Sequence, residues 1–227
     1  MKVLMPTYAD PTFAANYQSL CTKIADVLNR QDLSAVIPDF AMLATTRISR
    51  DMARIKHPGA ITRAVASVVN NYAPLPLDYL AMYQLMDQDT QISMTYVTPD
   101  QSMTAQSKGW PVSQSPSPSP KNIFYTIMGK TLRMIPTPDS TAPATLEMWY
   151  YSYLPAISTG NAANWVLTQY PDLYLYGALV HTAPYLKNDD RIQVWEGMYQ
   201  AILRDIEVEA DRANRPQTKL VAARKGF

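Results

Sequence analysis

The chain has 227 residues, of which 47% are hydrophobic and 17% charged, and its formal net charge is +1. This composition is that of a globular protein and excludes a disordered chain, while the small net charge excludes a global attraction to nucleic acid or to an anionic membrane. The one cysteine, Cys21, excludes an internal disulfide.

The first residues and the apolar runs bear on localisation. The amino-terminal sequence lacks the apolar core of a signal peptide, and no apolar run approaches the roughly 18 residues that a membrane span needs. We therefore expect a soluble protein that nothing in its sequence exports. Tyrosine (15) and methionine (12) are plentiful, and both residue types are enriched at contacts between proteins.

The amino-terminal region predicts two amphipathic helices. The first covers 12–31, with a stripe of Tyr17, Leu20, Ile24, Val27 and Leu28 at helical spacing. The second begins near Pro38, because proline suits the first turn of a helix, and ends at the His57-Pro58-Gly59 sequence. Its predicted inner face holds Phe40, Leu43, Ala44, Ile48, Met52 and Ile55. Its remaining surface is basic and carries Arg47, Arg50, Arg54 and Lys56.

The middle of the chain changes to the two-residue period of β-strands. Strands are predicted within 91–98 and 145–155, one or two more within 64–80, and a hairpin within 122–136 that turns at Gly129-Lys130. Short strands with proline-rich joints are typical of a small antiparallel sheet or barrel. The alternating apolar residues are Ile92, Met94, Tyr96, Ile123, Tyr125, Ile127, Leu146, Met148 and Tyr150.

A Ser-Pro repeat at 107–121 lies between the predicted strands. Such a repeat favours the extended polyproline II form. Two interpretations stay open, either a stiff exposed loop or a finger that contacts a partner through Trp110.

Helical spacing returns after Gly160. A short helix is predicted at 164–169, a second from Pro171, and a last one that Asp189 or Asp190 caps. The apolar row of the last helix is Ile192, Trp195, Met198, Tyr199, Ile202 and Ile206. The end of the chain is basic and carries Arg212, Arg215, Lys219, Arg224 and Lys225. This tail is a solvated disordered end, a nucleic-acid contact, or a segment that orders on a protein partner.

The helix at 171–186 is apolar on almost every side. A surface helix of a monomer has one apolar stripe of a little over 100°, so this helix needs cover from several directions. The following helix and the amino-terminal helices supply some of it, and we infer that neighbouring copies supply the rest. The alternative is the central helix of a small monomeric bundle. The candidate inter-subunit residues are Tyr174, Tyr176, His181, Tyr185, Trp195, Arg47, Arg50 and Arg54.

The sequence predicts no catalytic, cofactor-binding or metal-binding residues. His57 and His181 are the only histidines, and no ligand spacing connects them with Cys21. Neither a nucleophile elbow nor a glycine-rich phosphate loop occurs. The acidic runs at 87–89 and 188–190 fit a turn and a helix cap better than a calcium loop. We therefore expect no enzyme and no cofactor.

The predicted fold class is α+β, a helical bundle from the amino- and carboxy-terminal helices with an inserted small antiparallel β module. The expected domain order is 1–60 for the first helices, 61–158 for the β module, 159–212 for the last helices and 213–227 for the basic tail.

Three sequence stretches carry a resemblance to a known family. The segment from Asn164 to Leu203, with Trp165, Pro171-Asp172 and Trp195, resembles the carboxy-terminal helical signature of bacteriophage head-to-tail adaptor (connector) proteins. The sequence IPDFAMLATTRISRDM from Ile37 is similar to their second helix. PLPLDYL (74–80) and WYYSYLPAIS (149–158) also resemble theirs, and the match spans about 17–212.

The resemblance implies a structural protein of the virion neck, assembled in the host cytoplasm. Such adaptors form a ring, usually dodecameric, that binds the portal protein, extends the channel through which DNA passes without sequence-specific binding, and offers a surface to tail or nozzle proteins. It implies no membrane contact. The helical part is expected to contact the portal and adjacent protomers, and the β module to face the tail.

Two segments lie outside the matching pattern. The candidate tail-facing loop is Trp110, Pro116 and Pro118, and the candidate portal-docking tail is Arg212, Arg215, Lys219, Arg224 and Lys225. The alternatives are another neck component, such as a head- or tail-completion protein, or a soluble carbohydrate- or peptide-binding module that uses Trp110 and Trp149 as stacking platforms.

Overall fold

The computed structural model describes residues 16–88, 91–104, 123–135, 145–186 and 191–215 and has a mixed α+β fold. These residues belong to two compact units, one formed by the chain up to Ala60 together with the chain from Leu154, the other by Ile61–Tyr153. The β-containing unit thus ends at Tyr153, whereas the sequence predicts 158. The Leu154 amide donates to Ser49 Oγ at 3.1 Å, which ties this point of the chain to a helix of the first unit. No helix among the described residues is long and apolar enough to cross a membrane.

Two helices open the first unit. Helix α1 (Tyr17–Leu28) begins at a capping box, in which Asn16 Oδ1 accepts from the Ser19 amide and Ser19 Oγ accepts from the Asn16 amide. Helix α2 (Ile37–Arg54) has Pro38 in its first turn, as predicted. The predicted inner faces are correct except for Val27 and Leu43, which are exposed. Leu43 lies about two and a half turns from the buried Met52 and therefore projects from the opposite side.

Three further α-helices complete the described part of the first unit. They are α4 (Trp165–Gln169), α5 (Pro171–Leu186) and α6 (Ile192–Asn214). Helix α5 packs against α1, α2, α4 and α6. The side chains that α6 buries are Trp195, Tyr199, Leu203, Ile206 and Ala210.

The predictions for α6 need two corrections. Ile192 and Met198 are exposed, because the buried row runs along Trp195 and Tyr199 instead. The N-cap of α6 is Arg191, which makes no side-chain cap hydrogen bond. Asp189 and Asp190, predicted as caps, lie outside the described residues.

The residues described in the second unit form two sheets and helix α3 (Pro99–Met103). The first sheet has β1 (Ile61–Ser67), β7 (Thr145–Ser152) and β3 (Tyr79–Asp87) in the order β1-β7-β3, all antiparallel. The second has β2 (Tyr72–Pro74), β6 (Thr131–Ile135), β5 (Phe124–Met128) and β4 (Thr95–Tyr96) in the order β2-β6-β5-β4. Strand β4 runs parallel to β5, so the prediction of a purely antiparallel module is wrong there.

The core of the second unit is formed by side chains from both sheets. Leu146, Met148 and Tyr150 of β7 are buried against Leu132 and Met134 of β6 and their neighbours, as their alternation predicts. The predicted hairpin is confirmed, because Met128 pairs with Thr131 around Gly129-Lys130. Only Gly129 of these two turn residues has a positive φ, 62°, as in a type II′ turn.

Candidate interaction surfaces

Helix α5 forms the interior of the first unit. Tyr174 is 0% exposed, and its hydroxyl accepts a hydrogen bond from Asn164 Nδ2 at 2.6 Å. The same Asn164 caps α4, because its Oδ1 accepts from the Leu167 amide. The other fully or nearly fully buried residues of α5 include Leu173, Leu175, Ala178, Leu179, Thr182 and Ala183.

The packing of α5 is closest at Gly177. A Cβ atom there would lie 3.2 Å from the Tyr199 ring of α6 and 3.6 Å from the Ala44 Cβ of α2. Glycine at this position therefore lets three helices approach one another. Most of the apolar surface of α5 is therefore buried within its own chain.

This burial corrects the sequence-based interpretation of α5. Tyr174 and Trp195 were predicted to meet other copies, but both lie in the core of their own chain. Tyr176 and His181 are half-buried, while Tyr185 is 53% exposed and packs edge-on against Phe40 with 5.9 Å between ring centroids. The inference that α5 requires neighbouring copies as cover is therefore wrong for its central part.

Arg47 connects α2 to α6. Its Nη1 and Nη2 donate to the two oxygens of Glu196 at 2.9 and 2.5 Å, and its guanidinium lies 4.1 Å above the Tyr199 ring centre. Tyr199 in turn donates its hydroxyl proton to Asp51 at 2.6 Å. Bidentate pairing requires the planar guanidinium of arginine, which also lies over aromatic faces more often than the lysine ammonium does. This side chain, predicted to face another copy, is thus engaged within its own chain.

The network perturbs the ionisation of its members. Hydrogen bonding to Arg47 lowers the pKa of Glu196. Burial, followed by the hydrogen bond to Asp51, raises the pKa of Tyr199. Sequence spacing carries no signal for these partners, because Glu196 lies 149 residues from Arg47 and their two helices are brought together by packing on α5.

The two histidines have structural positions. His57 stacks on Trp165 with 5.0 Å between ring centroids, its Nδ1 accepts from the Gly59 amide, and burial lowers its pKa. Burial, then the charge of Arg47, lowers the pKa of His181. Among the described residues, no three His, Cys, Asp or Glu side chains gather as metal ligands would.

Helix α2 presents an exposed face that we call the α2 outer face. Met42 and Leu43 are exposed at its amino-terminal half, and Arg50 and Arg54 at its carboxy-terminal half. The one ion pair of Arg54 within the described residues is to Asp51 at 3.3 Å on the same helix. Two of the predicted inter-subunit residues, Arg50 and Arg54, are therefore exposed and make contacts on their own helix, since Arg50 Nε donates to the Thr46 carbonyl at 3.3 Å.

Helix α6 presents a comparable exposed face that we call the α6 outer face. Val194 and Met198 are exposed near its start, and Asp205, Val208 and Glu209 further along. These positions are three, four or seven residues apart and so lie along one side of the helix. The same helix thus has an apolar row turned to its own core and a second, mixed row turned to solvent.

The first sheet of the second unit has an ionic and aromatic outer surface. Glu147 accepts hydrogen bonds from Arg63 Nε at 2.6 Å and from Trp149 Nε1 at 3.0 Å, and Tyr83 packs edge-on against Tyr151. Trp149 is half-buried in this cluster and is therefore held by its neighbours. Trp110, Pro116 and Pro118 lie outside the described residues.

The described part of the basic tail is short. Arg212 and Arg215 are exposed at the end of α6, and Asn214 Nδ2 donates to the Lys56 carbonyl at 2.9 Å. The remaining residues of the predicted portal-docking tail, Lys219, Arg224 and Lys225, lie outside the described residues.

Comparison with known protein families gives a match that covers most of the chain. A family model described as SU10 adaptor protein matches residues 15–220 and so covers both units of the chain. No curated protein matches the sequence.

Proposed function

The chain belongs to the SU10 adaptor protein family, and we propose that its copies form the ring that joins the portal to the tail of a bacteriophage particle. As a member of this family it is a structural adaptor protein of a phage virion. In the proposed arrangement the ring extends the channel for DNA and gives tail or nozzle proteins a surface to bind. Copies assemble in the host cytoplasm before they join the virion.

The observation that carries the proposal is the length of the family match. It spans residues 15–220, so the helices of the first unit and the sheets of the second unit fall within one family pattern. A match confined to either unit would have supported only a common fold.

We assign the two units different neighbours. The helices of the first unit act as a bundle that meets the portal and the adjacent copies, and the second unit faces the tail. The exposed outer faces of α2 and α6 support the first assignment, because they combine apolar and charged residues as specific interfaces do.

Ring assembly explains how modest contacts hold the neck together. A specific contact typically buries about 800 Å² on each partner. Every copy in a closed ring makes its contact twice, so pairs that are weak in isolation become stable once the portal aligns them. We expect the purified protein to be a monomer or a weak oligomer and to form a ring when portal is present.

Sedimentation tests this expectation. The purified chain is run alone, then mixed with the portal protein of the same phage, and the mixture is imaged by electron microscopy. The expected result is a slow species alone and a portal complex that carries a ring of this chain. Unchanged sedimentation of both proteins after mixing would refute the proposed function.

The basic tail supplies a second test. Arg212 and Arg215 end α6 at the surface, so residues 213–227 continue the chain from an exposed point. We propose that this segment docks on the portal. Deletion of 213–227 is expected to weaken portal binding in a pull-down assay. A full-length control with Gln at Arg215, Lys219, Arg224 and Lys225 separates the contribution of charge from that of length, and undiminished binding of the deletion variant would refute tail docking.

A further inference from the structure

We propose that neighbouring copies in the ring meet through the α2 outer face of one copy and the α6 outer face of the next, with the two helices parallel. This inference rests on the proposed ring and adds which surfaces form its contact. The occupant of each face is a second copy of the same chain.

The apolar ends of the two faces are the first reason. Met42 and Leu43 on α2 are 56% and 44% exposed, and Val194 and Met198 on α6 are 57% and 48% exposed. Each helix already buries an apolar row inside its own unit, so these exposed pairs form a second apolar site, of two residues, on each helix. Such a patch beside charged residues is typical of an interaction surface.

The charged ends are complementary. The α2 outer face continues into Arg50 and Arg54, and the α6 outer face continues into Asp205 and Glu209. Within the described residues, Arg50 and Asp205 make no ion pair. Glu209 accepts one hydrogen bond from Tyr170, at 2.9 Å, and keeps its other oxygen for a second donor.

The spacing of the two faces fixes their relative direction. From Leu43, Arg50 and Arg54 follow after seven and eleven residues, and from Met198, Asp205 and Glu209 follow after the same intervals. At about 1.5 Å per residue, both faces place their charges about 10 and 16 Å from the apolar contact. A parallel alignment therefore pairs Leu43 with Met198 and brings two arginines to two carboxylates.

The antiparallel alignment lacks this match. With Leu43 kept against Met198, reversal of one helix moves Arg50 opposite Arg191, so that like charges meet. Because the two faces belong to different helices, each copy offers one face and receives the other. Contacts of this head-to-tail type generate closed rings when their rotation closes.

Charge reversal tests the pairing. The paired variant Arg50→Glu/Arg54→Glu and the paired variant Asp205→Arg/Glu209→Arg are each assembled with portal and analysed by sedimentation. The amount of ring formed by each variant is expected to fall roughly tenfold or more below that of the native chain, because like charges then face each other. The chain carrying all four substitutions is expected to regain assembly. Circular dichroism checks that every variant is folded.

A matched control reverses two other exposed charges, Arg30→Glu and Lys130→Glu, which lie on neither face. This variant is expected to assemble like the native chain. If the native chain forms no ring, the proposed function fails and this inference fails with it. If the native chain forms rings and Arg50→Glu/Arg54→Glu forms them equally well, only the present inference fails. The inference is also overturned if single copies of Arg50→Glu/Arg54→Glu lose portal binding while the contact between copies is unchanged. That result would assign the α2 outer face to the portal.

Cysteine cross-linking tests the contact directly. In a Cys21→Ser background, one sample carries Leu43→Cys and the other Met198→Cys, and the two are mixed before assembly with portal and oxidised. Because each chain holds one thiol, a covalent dimer is expected in the mixture and none from either sample alone. Rings that assemble from the mixture without forming this dimer would overturn the pairing.

Discussion

Tyr174→Ala is the substitution that best tests whether α5 is covered by its own chain. The ring of Tyr174 is fully buried and its hydroxyl accepts a hydrogen bond from Asn164, whereas Tyr185 on the same helix is more than half exposed. Truncation of a buried aromatic side chain to alanine costs about 3–5 kcal/mol. The alternative, in which both tyrosines serve contacts between copies, predicts that neither matters for an isolated chain.

The magnitudes separate the two interpretations. Burial of an aromatic side chain removes about 150–250 Å² from water, and at about 25 cal/mol per Å² this contributes about 4–6 kcal/mol. Tyr174→Phe removes only the hydroxyl and is expected to cost about 1 kcal/mol. Tyr185→Ala loses the edge-on contact with Phe40 and is expected to cost about 1 kcal/mol or less.

Urea unfolding followed by circular dichroism at 222 nm (a conventional helix signal) measures these differences in the free energy of unfolding, with the midpoint and slope fitted for each variant. The measurement is made on the protein without portal, so that contacts between copies contribute little. The reasoning is refuted if Tyr174→Ala destabilises the chain no more than Tyr185→Ala does.

Three further substitutions probe other features. Glu196→Gln is expected to cost about 1 kcal/mol at neutral pH, since the pair with Arg47 is partly exposed and screened. Hydrogen bonding to Arg47 lowers the pKa of Glu196 from its ordinary value of 4.5. The stabilisation by this carboxylate is therefore fully present above pH 4.5 and is lost as the pH falls through the lowered pKa. Unfolding measured from pH 7 to pH 3 should therefore show a smaller acid loss for Glu196→Gln, and equal losses would contradict the pairing. Gly129→Ala is expected to cost about 1–2 kcal/mol, because its positive φ disfavours a Cβ. The control Gly160→Ala should be nearly neutral by thermal melting, because φ at Gly160 is ordinary and a Cβ there would meet only Ser158 Oγ, at 3.9 Å. Burial raises the pKa of Tyr150 to about 12, and its hydroxyl donates a hydrogen bond to the Asp78 carboxylate. Tyr150→Phe loses this hydrogen bond and is expected to lower the free energy of urea unfolding by about 1 kcal/mol. An unchanged free energy would mean that water solvates the hydroxyl equally well in the unfolded chain.

The helix starts marked by proline and the turn of the hairpin were the most predictable parts of the fold. Pro38 and Pro171 both stand in the first turn of the helices they were expected to open, and the Gly129 hairpin is where its turn residues predict it. These signals are local, since they depend on the backbone preferences of one or two residues. Strand β3 was not predicted beyond residue 80, because its pairing with β7 shifts register twice and blurs the alternation of buried and exposed residues.

The candidate surfaces were less predictable, for a physical reason. An apolar side chain loses the same contact with water whether it packs on its own chain or on another copy, so the uniform apolarity of α5 carried no information about which of the two covers it. Conversely, Leu43 and Met198 fitted an inner row at helical spacing, yet both are exposed. Only the positions of the neighbouring helices distinguish a core residue from an interface residue with the same spacing.

The register of β1 and β7 determines how the second unit is inserted in the chain. Ile61, where the chain enters this unit, pairs with Tyr151, two residues before it leaves at Tyr153. Entry and exit thus lie on adjacent strands, about 5 Å apart. We expect an insert whose two ends lie so close together to be exchangeable as a unit. A longer or shorter module with equally close ends should then connect to the same flanking helices without a change in their path.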